Sequence, residues 1–295
     1  MSSVPAVPKL RQFASKMGTP HRIAYYEWGD AKNSSVVVCM HGLSRNARDF
    51  SALAKRLSVQ HRVICPDAPG RGESDWLPDP AQYTYPALAE EMAALIRRLG
   101  VARVAWVGTS MGGILGMLTA ASHPELVTKL LLNDVGAEVD PAGVRRILGY
   151  VGRKHSFPNR AEAMEYLRTV FAPFGLETDA EWETLYKASF VEKNGVVAFA
   201  YDPAIVRPVA APPEPAAHAG PADYWKEWNR ITCPVLILRG EKSDLLSADT
   251  VRKMCARPGT RAVEIPKCGH APALLNDGQI DIVQKFLSET WADCR

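Results

Sequence analysis

Ser110 stands in Gly108-Thr109-Ser110-Met111-Gly112, between the apolar run Val104–Val107 and a stretch over 111–123 that reads as a helix. A serine on a strand-to-helix turn flanked by glycines is a candidate nucleophile, because the turn lifts its hydroxyl clear of the neighbouring chain. The free N–H groups of the helix start favour negative charge beside it. A hydroxyl attacks poorly unless a base accepts its proton. Among seven histidines, His270 lies in Lys267-Cys-Gly-His-Ala-Pro272, between the last strand-like run and the last helical one. His21, His61, His123, His155 and His218 lack such a position and read as structural or exposed. His41 reads as shaping the loop that it begins.

A catalytic imidazole needs an anion to fix its tautomer and stabilise its charged form. Asp244, in Arg239-Gly-Glu-Lys-Ser-Asp244, is the favoured partner. It follows the run Pro234–Leu238 and precedes His270 by 26 residues (270 − 244). Asp134, just after Leu130–Leu132, is its competitor, with a loop-capping role as the alternative. Glu241 is a third candidate. A tetrahedral acyl intermediate also needs two N–H donors. The amide of Met111, next to the nucleophile, is expected to supply one. The loop His41-Gly42-Leu43-Ser44 supplies the other, with Leu43 preferred to Ser44.

These residues need a scaffold that gathers them. Short, uniformly apolar runs end in turn signals at His41-Gly42, Asp67–Gly70, Gly108 and Asn133-Asp134, as strands covered on both faces do. Leu88, Met92, Leu95, Ile96 and Leu99 fall at i, i+4, i+7, i+8 and i+11, one helical stripe. Thr84 and Pro86 suit its start and Gly100 its end. Alternating strands and helices imply a mostly parallel sheet flanked by helices. The pattern breaks near Gly136 and resumes near Arg230. Residues 1–136 and 230–295 are therefore expected to form one discontinuous core, and 137–229 an inserted helical cap. Helices are expected around Val144–Val151, Ala161–Phe171 and Ala180–Val191. The stretch Pro203–Pro221 holds six prolines and reads as a stiff connector.

The 295 residues are 47% apolar and 23% charged, which excludes a largely disordered chain. A formal charge of +3 gives no electrostatic case for nucleic acid or an anionic membrane. No apolar run is long enough to span a bilayer, and the start lacks the hydrophobic region of a signal peptide. The six cysteines form no C-x-x-C pair, so a zinc site is not expected and a reduced, cytoplasmic protein is.

His41-Gly42-Leu43, Asp67–Ser74, the Gly108–Gly112 turn, Arg239–Asp244 and Gly269-His270 together resemble the alpha/beta-hydrolase superfamily, specifically its cap-bearing serine esterases. The resemblance covers nearly the whole chain. It implies a Ser-acid-His order along the chain, which both Asp244 and Asp134 satisfy, and acyl-enzyme chemistry with no metal or organic cofactor. Small or medium carboxylic esters are the expected substrates. Enol-lactone, polyester-oligomer, thioester and C–C bond cleavage stand as alternatives, as does a non-catalytic small-ligand receptor of the same fold. Phe171, Phe174, Tyr186, Phe190, Phe199, Tyr201, Trp225 and Trp228 are candidates for the inner surface of the cap. Arg45 is a candidate for meeting a substrate carboxylate.

Overall fold

The computed structural model describes residues 7–153, 156–210 and 222–290. His155, His218, Cys294 and residues 211–221 of the proline-rich stretch lie outside the described residues. The chain opens with β1 (Lys9–Ser15) and β2 (His21–Trp28), then alternates β3 (Val36–Met40), α1 (Ser51–Leu57), β4 (Arg62–Pro66), α2 (Tyr85–Arg98), β5 (Val104–Thr109), α3 (Met111–Ser122) and β6 (Val127–Asn133). Next come β7 (Glu138–Val139), α4 (Pro141–Leu148), β8 (Ser156–Phe157), α5 (Arg160–Val170), α6 (Asp179–Ser189), β9 (Phe190–Lys193) and β10 (Val196–Phe199). The short α7 (Arg207–Ala210), β11 (Ala222–Asp223) and α8 (Trp225–Trp228) follow. The alternation then resumes with β12 (Val235–Gly240), α9 (Ala248–Cys255), β13 (Thr260–Ile265) and α10 (Asp277–Ser288).

Eight strands form one sheet in the order β1-β2-β4-β3-β5-β6-β12-β13. The pairs β1–β2 and β2–β4 are antiparallel, and the rest are parallel. Every residue of β3 is buried, as its run of apolar side chains requires. Alternation then divides the core. Val36, Val38, Met40, Trp106, Leu130, Leu132 and Ile237 face α2 and α3 on one side. Val37, Cys39, Val107, Leu131, Leu236 and Leu238 face α1 and α10 on the other.

The parallel register positions the site. Met40 lies opposite Gly108, Thr109 and Leu238 lie opposite Asn133, and Gly240 lies opposite Ile265. The loops beginning at His41, Ser110, Asp134 and Glu241, and the loop after β13 that carries His270, therefore emerge along one edge of the sheet. That edge is where ligands of open α/β sheets bind.

The three expected helices of the 137–229 segment correspond to α4, α5 and α6. The segment is not purely helical, however. β8, β10 and β9 form a three-stranded antiparallel sheet, and β7 pairs with β11. The turn between β9 and β10 is Asn194-Gly195, with φ of 52° and 75°. Asn-Gly is the residue pair best suited to such a two-residue hairpin turn, so the signal was present although four-residue strands are too short to show alternation. Within Pro203–Pro221, residues Pro203–Val206 form a 3-10 turn leading into α7.

Candidate active site

Ser110 connects β5 to α3 with φ 53° and ψ −120°. A left-handed φ at a serine is strained by about 1–3 kcal/mol, a cost the surroundings must sustain. The packing does so by crowding. A Cβ added to Gly112 would come 2.0 Å from the Met40 carbonyl oxygen, and one on Gly108 would come 2.3 Å from the Gly112 oxygen. Only glycine at both positions lets the turn press against the end of β3.

His270 Nε2 lies 2.9 Å from Ser110 Oγ, and its Nδ1 lies 2.8 Å from Asp134 Oδ2. The Asp134 carboxylate is completely buried. It also accepts from the Gly240 N–H at 2.7 Å and from the Ser243 hydroxyl at 2.6 Å. Buried charge demands such satisfaction, and three donors supply it here. The neighbouring Asn133 side chain donates to Thr109 Oγ1 and to the Pro272 carbonyl, tying the serine strand to the histidine loop.

Asp244, expected beside His270, makes no hydrogen bond to it and turns the other way. Its carboxylate receives Arg146 of α4 through Nε at 2.5 Å and Nη2 at 2.8 Å. This guanidinium holds the Asp244 carboxyl below its usual range. The physical reason lies in the loop after β12. Ser243 folds back on Gly240 through a turn and faces Asp134, which leaves the next residue directed toward α4. Glu241 is spent on the Lys267 N–H at 2.8 Å. Asp134, the competing candidate, is the residue immediately after β6, the strand paired to that of Ser110. Asp244 stands four positions beyond the end of β12.

Leu43 and Met111 are both buried, and the Met111 N–H opens α3, where helices leave their N–H groups without intrahelical partners. A Cβ on Gly42 would sit 3.6 Å from Ser110 Cβ, so the loop of Leu43 runs alongside Ser110.

Three expected binding residues are occupied elsewhere. Arg45 is buried, with Nε and Nη2 on Asp49 and Nη1 on Ser189 Oγ at 2.6 Å. Its guanidinium also stacks on Phe171 at 4.9 Å, so it ties the core to the 137–229 segment. Trp228 is 1% exposed and lies under Arg257 in the core. The Trp225 indole donates to Glu138 at 3.4 Å. Phe190, Phe199, Tyr186 and Tyr201 pack mainly on one another, with Phe157 and Tyr166, and so hold the 137–229 segment together. Phe174 differs. It lines a cleft with Asp49, Thr184, Leu185, Ala188, Ala273 and Leu275, between α6 and the residues just after His270. The 137–229 segment touches the histidine loop directly, where the Gly269 N–H donates to the Pro173 carbonyl at 2.6 Å.

The nucleophile turn, the sheet order and the histidine loop are those of an alpha/beta hydrolase. The alpha/beta hydrolase family is matched over residues 37–279, and the chain belongs to it. A 3-hydroxybutyrate-oligomer hydrolase of Cupriavidus necator is 42% identical over 273 residues, 91% of this chain and 93% of that one. The solved structure of an alpha/beta hydrolase from Novosphingobium aromaticivorans superposes with a TM-score of 0.85 at 38% identity, covering 96% of this chain and 99% of that one. The structure of E-2-(acetamidomethylene)succinate hydrolase superposes with a TM-score of 0.79 over 95% of this chain and 100% of that one, a likeness of fold alone at 21% identity. Among the described residues no helix is long and apolar enough to cross a membrane.

Proposed function

We propose that this chain is a serine esterase that cleaves short oligomers of hydroxy acids such as 3-hydroxybutyrate. The observation that carries the reading is the hydrogen-bonded line from Ser110 through His270 to the buried Asp134, at 2.9 and 2.8 Å. The 3-hydroxybutyrate-oligomer hydrolase that resembles the chain over nearly its full length supports the substrate class.

In this mechanism Ser110 Oγ attacks the ester carbonyl while His270 Nε2 takes its proton. Asp134 keeps the other proton on Nδ1 and stabilises the imidazolium. The Leu43 and Met111 N–H groups receive the negative oxygen of the tetrahedral intermediate. His270 then protonates the departing alcohol, which is the hydroxyl of the next hydroxy acid. Water, deprotonated by His270, releases the acyl group as a carboxylic acid and restores Ser110. The described residues of 137–229 act as a cap over this edge, bolted down by Arg45–Ser189 and by Asn46 Nδ2 on the Ala188 carbonyl at 2.5 Å. The buried free thiols Cys39, Cys65, Cys233 and Cys268 agree with a reducing, cytoplasmic location.

Purified enzyme given 3-hydroxybutyrate dimer and trimer should release the monomer, and Ser110→Ala should lower kcat by about 10⁵-fold or more. Undiminished turnover by Ser110→Ala would refute the nucleophile. A preference for an enol-lactone or ring-cleavage dienone over the oligomers would instead move the substrate reading to that class.

A further inference from the structure

Behind the nucleophile sits a pair of buried groups that no step above uses. His41 is 0% exposed, and so is Arg71. The ring of His41 has its tautomer fixed by its neighbours. The Ala68 N–H can only donate, and it reaches His41 Nε2 at 3.0 Å, so Nε2 is the acceptor. Nδ1 then carries the proton and donates to the Gly42 carbonyl at 2.7 Å. Burial pushes the imidazole down to about 3, so it stays neutral and keeps this arrangement at working pH.

The Gly42 carbonyl belongs to the peptide whose N–H is that of Leu43. In a planar trans peptide the C=O and N–H point in opposite directions. Holding the Gly42 oxygen on His41, with a second donor in the Arg45 N–H at 3.2 Å, therefore fixes where the Leu43 N–H aims. Arg71 braces the other side of the same residue. Its Nε donates to the Leu43 carbonyl at 2.9 Å, its Nη1 to the Pro69 carbonyl at 2.7 Å, and its Nη2 lies 3.7 Å from Met111 Sδ. Arg71 thus touches both residues assigned to the oxyanion. Among the described residues no carboxylate lies within ion-pair distance of it. Its main companion is the Tyr83 ring, 5.5 Å from the guanidinium carbon. Burial lowers its pKa to about 10, which leaves it charged at neutral pH.

We propose that His41 and Arg71 are positioning residues for the oxyanion: His41 turns the Gly42–Leu43 peptide so that its N–H faces the reacting carbonyl, and Arg71 clamps Leu43 and Met111 from behind. The proposal rests on the assignment of Leu43 and Met111 as the oxyanion donors. It differs from a general packing role because it makes one ring nitrogen of His41 matter more than the other. Asparagine places its amide N–H near the position of Nδ1, and glutamine places its amide near that of Nε2. His41→Asn therefore keeps the donor to Gly42 and loses the acceptor for Ala68, and His41→Gln does the reverse.

The test compares wild type, His41→Asn, His41→Gln and Arg71→Met in kcat and KM on p-nitrophenyl butyrate and in Ki for an alkyl trifluoromethyl ketone. The ketone forms a bond between Ser110 Oγ and its carbonyl carbon. The carbonyl π pair moves onto oxygen as the oxyanion, and the serine proton passes to His270. A misaimed donor in such sites costs about tenfold to a few hundredfold. His41→Gln and Arg71→Met should each lose kcat by about that factor with KM little changed, and their ketone Ki should weaken in parallel. His41→Asn should stay within about threefold of wild type, well short of the loss of one oxyanion donor. Equal losses in His41→Asn and His41→Gln, or a fall in kcat with ketone affinity intact, would overturn the proposal. If Arg71→Met does not fold, the His41 pair decides alone. The underlying reading fails separately: ketone binding to wild type that is equally tight in Ser110→Ala would refute the reacting centre, and the positioning roles with it.

Discussion

Two aspartates follow neighbouring parallel strands at the same edge of the sheet, and they live in opposite surroundings. Asp134, after β6, is wholly buried, and among the described residues its carboxylate is hydrogen-bonded by His270, a hydroxyl and a backbone N–H. Asp244, after β12, is about one-third exposed at its side chain and meets a guanidinium. A carboxylate serves an imidazole best when no permanent cation competes for it and when neutral donors hold its remaining lone pairs. Asp134 meets both conditions, whereas the charge of Asp244 is already neutralised by Arg146. Two aspartates that follow neighbouring strands thus hold different partners, decided by where the fold places each one.

The sharpest way to break this contrast is to remove the charge at each position in turn. Asp134→Asn should lower kcat by about 10³–10⁴-fold, since an amide in that place favours the wrong tautomer of His270. Asp244→Asn should change kcat by less than about tenfold, as expected for a group that does not orient the base. Steady-state rates on the 3-hydroxybutyrate dimer measure both. A larger loss in Asp244→Asn would return the acid role to the loop after β12.

The contrast also shows how far the amino-acid sequence carries. Strands such as Val36–Met40, and β12 over Val235–Leu238, were legible because both of their faces are covered, so their apolar runs are unbroken. Ser110 was legible because crowding by Met40 and Gly112 permits glycine alone beside it. His270 followed from its place between β13 and α10. Which aspartate meets His270 was not legible, because chain order and strand ends admit both. It depends on which way one loop residue points and on Arg146, 98 residues away in sequence. The misplacement of Arg45 has the same origin. Its neighbour Asp49 was visible one helical turn on, but Ser189 and Phe171 reach it only through the fold. The strands β1 and β2 were missed because β1 is an exposed edge with little apolar patterning.

Ser243 links the two aspartates' loops and gives a prediction of intermediate size. Its hydroxyl donates to Asp134 Oδ2 while its oxygen accepts from the Leu246 N–H at 3.0 Å. Ser243→Ala deprives a buried carboxylate of one donor, a loss of about 1.5–3 kcal/mol for a hydrogen bond to a charged group. Part of this should appear as a kcat reduction of roughly tenfold and part as a lower melting temperature. A rate equal to wild type would mean that Gly240 and His270 alone suffice to hold Asp134.

The smallest effect is expected at the other aspartate, from Arg146→Met. The pair is bidentate but about one-third exposed on each side, so solvent screening leaves it roughly 0–1 kcal/mol of stability. The sign of its pH dependence follows from Asp244. The Arg146 guanidinium depresses that carboxyl in the folded state relative to its ordinary value of 3.8. Its stabilising contribution is therefore fully present above 3.8 and is lost as the pH falls through the depressed folded pKa. Denaturant midpoints of wild type and Arg146→Met should differ slightly at pH 7 and converge in strong acid. A gap that stays constant into that range would show that Arg146 stabilises the fold through the packing of its methylene stem instead of through its charge.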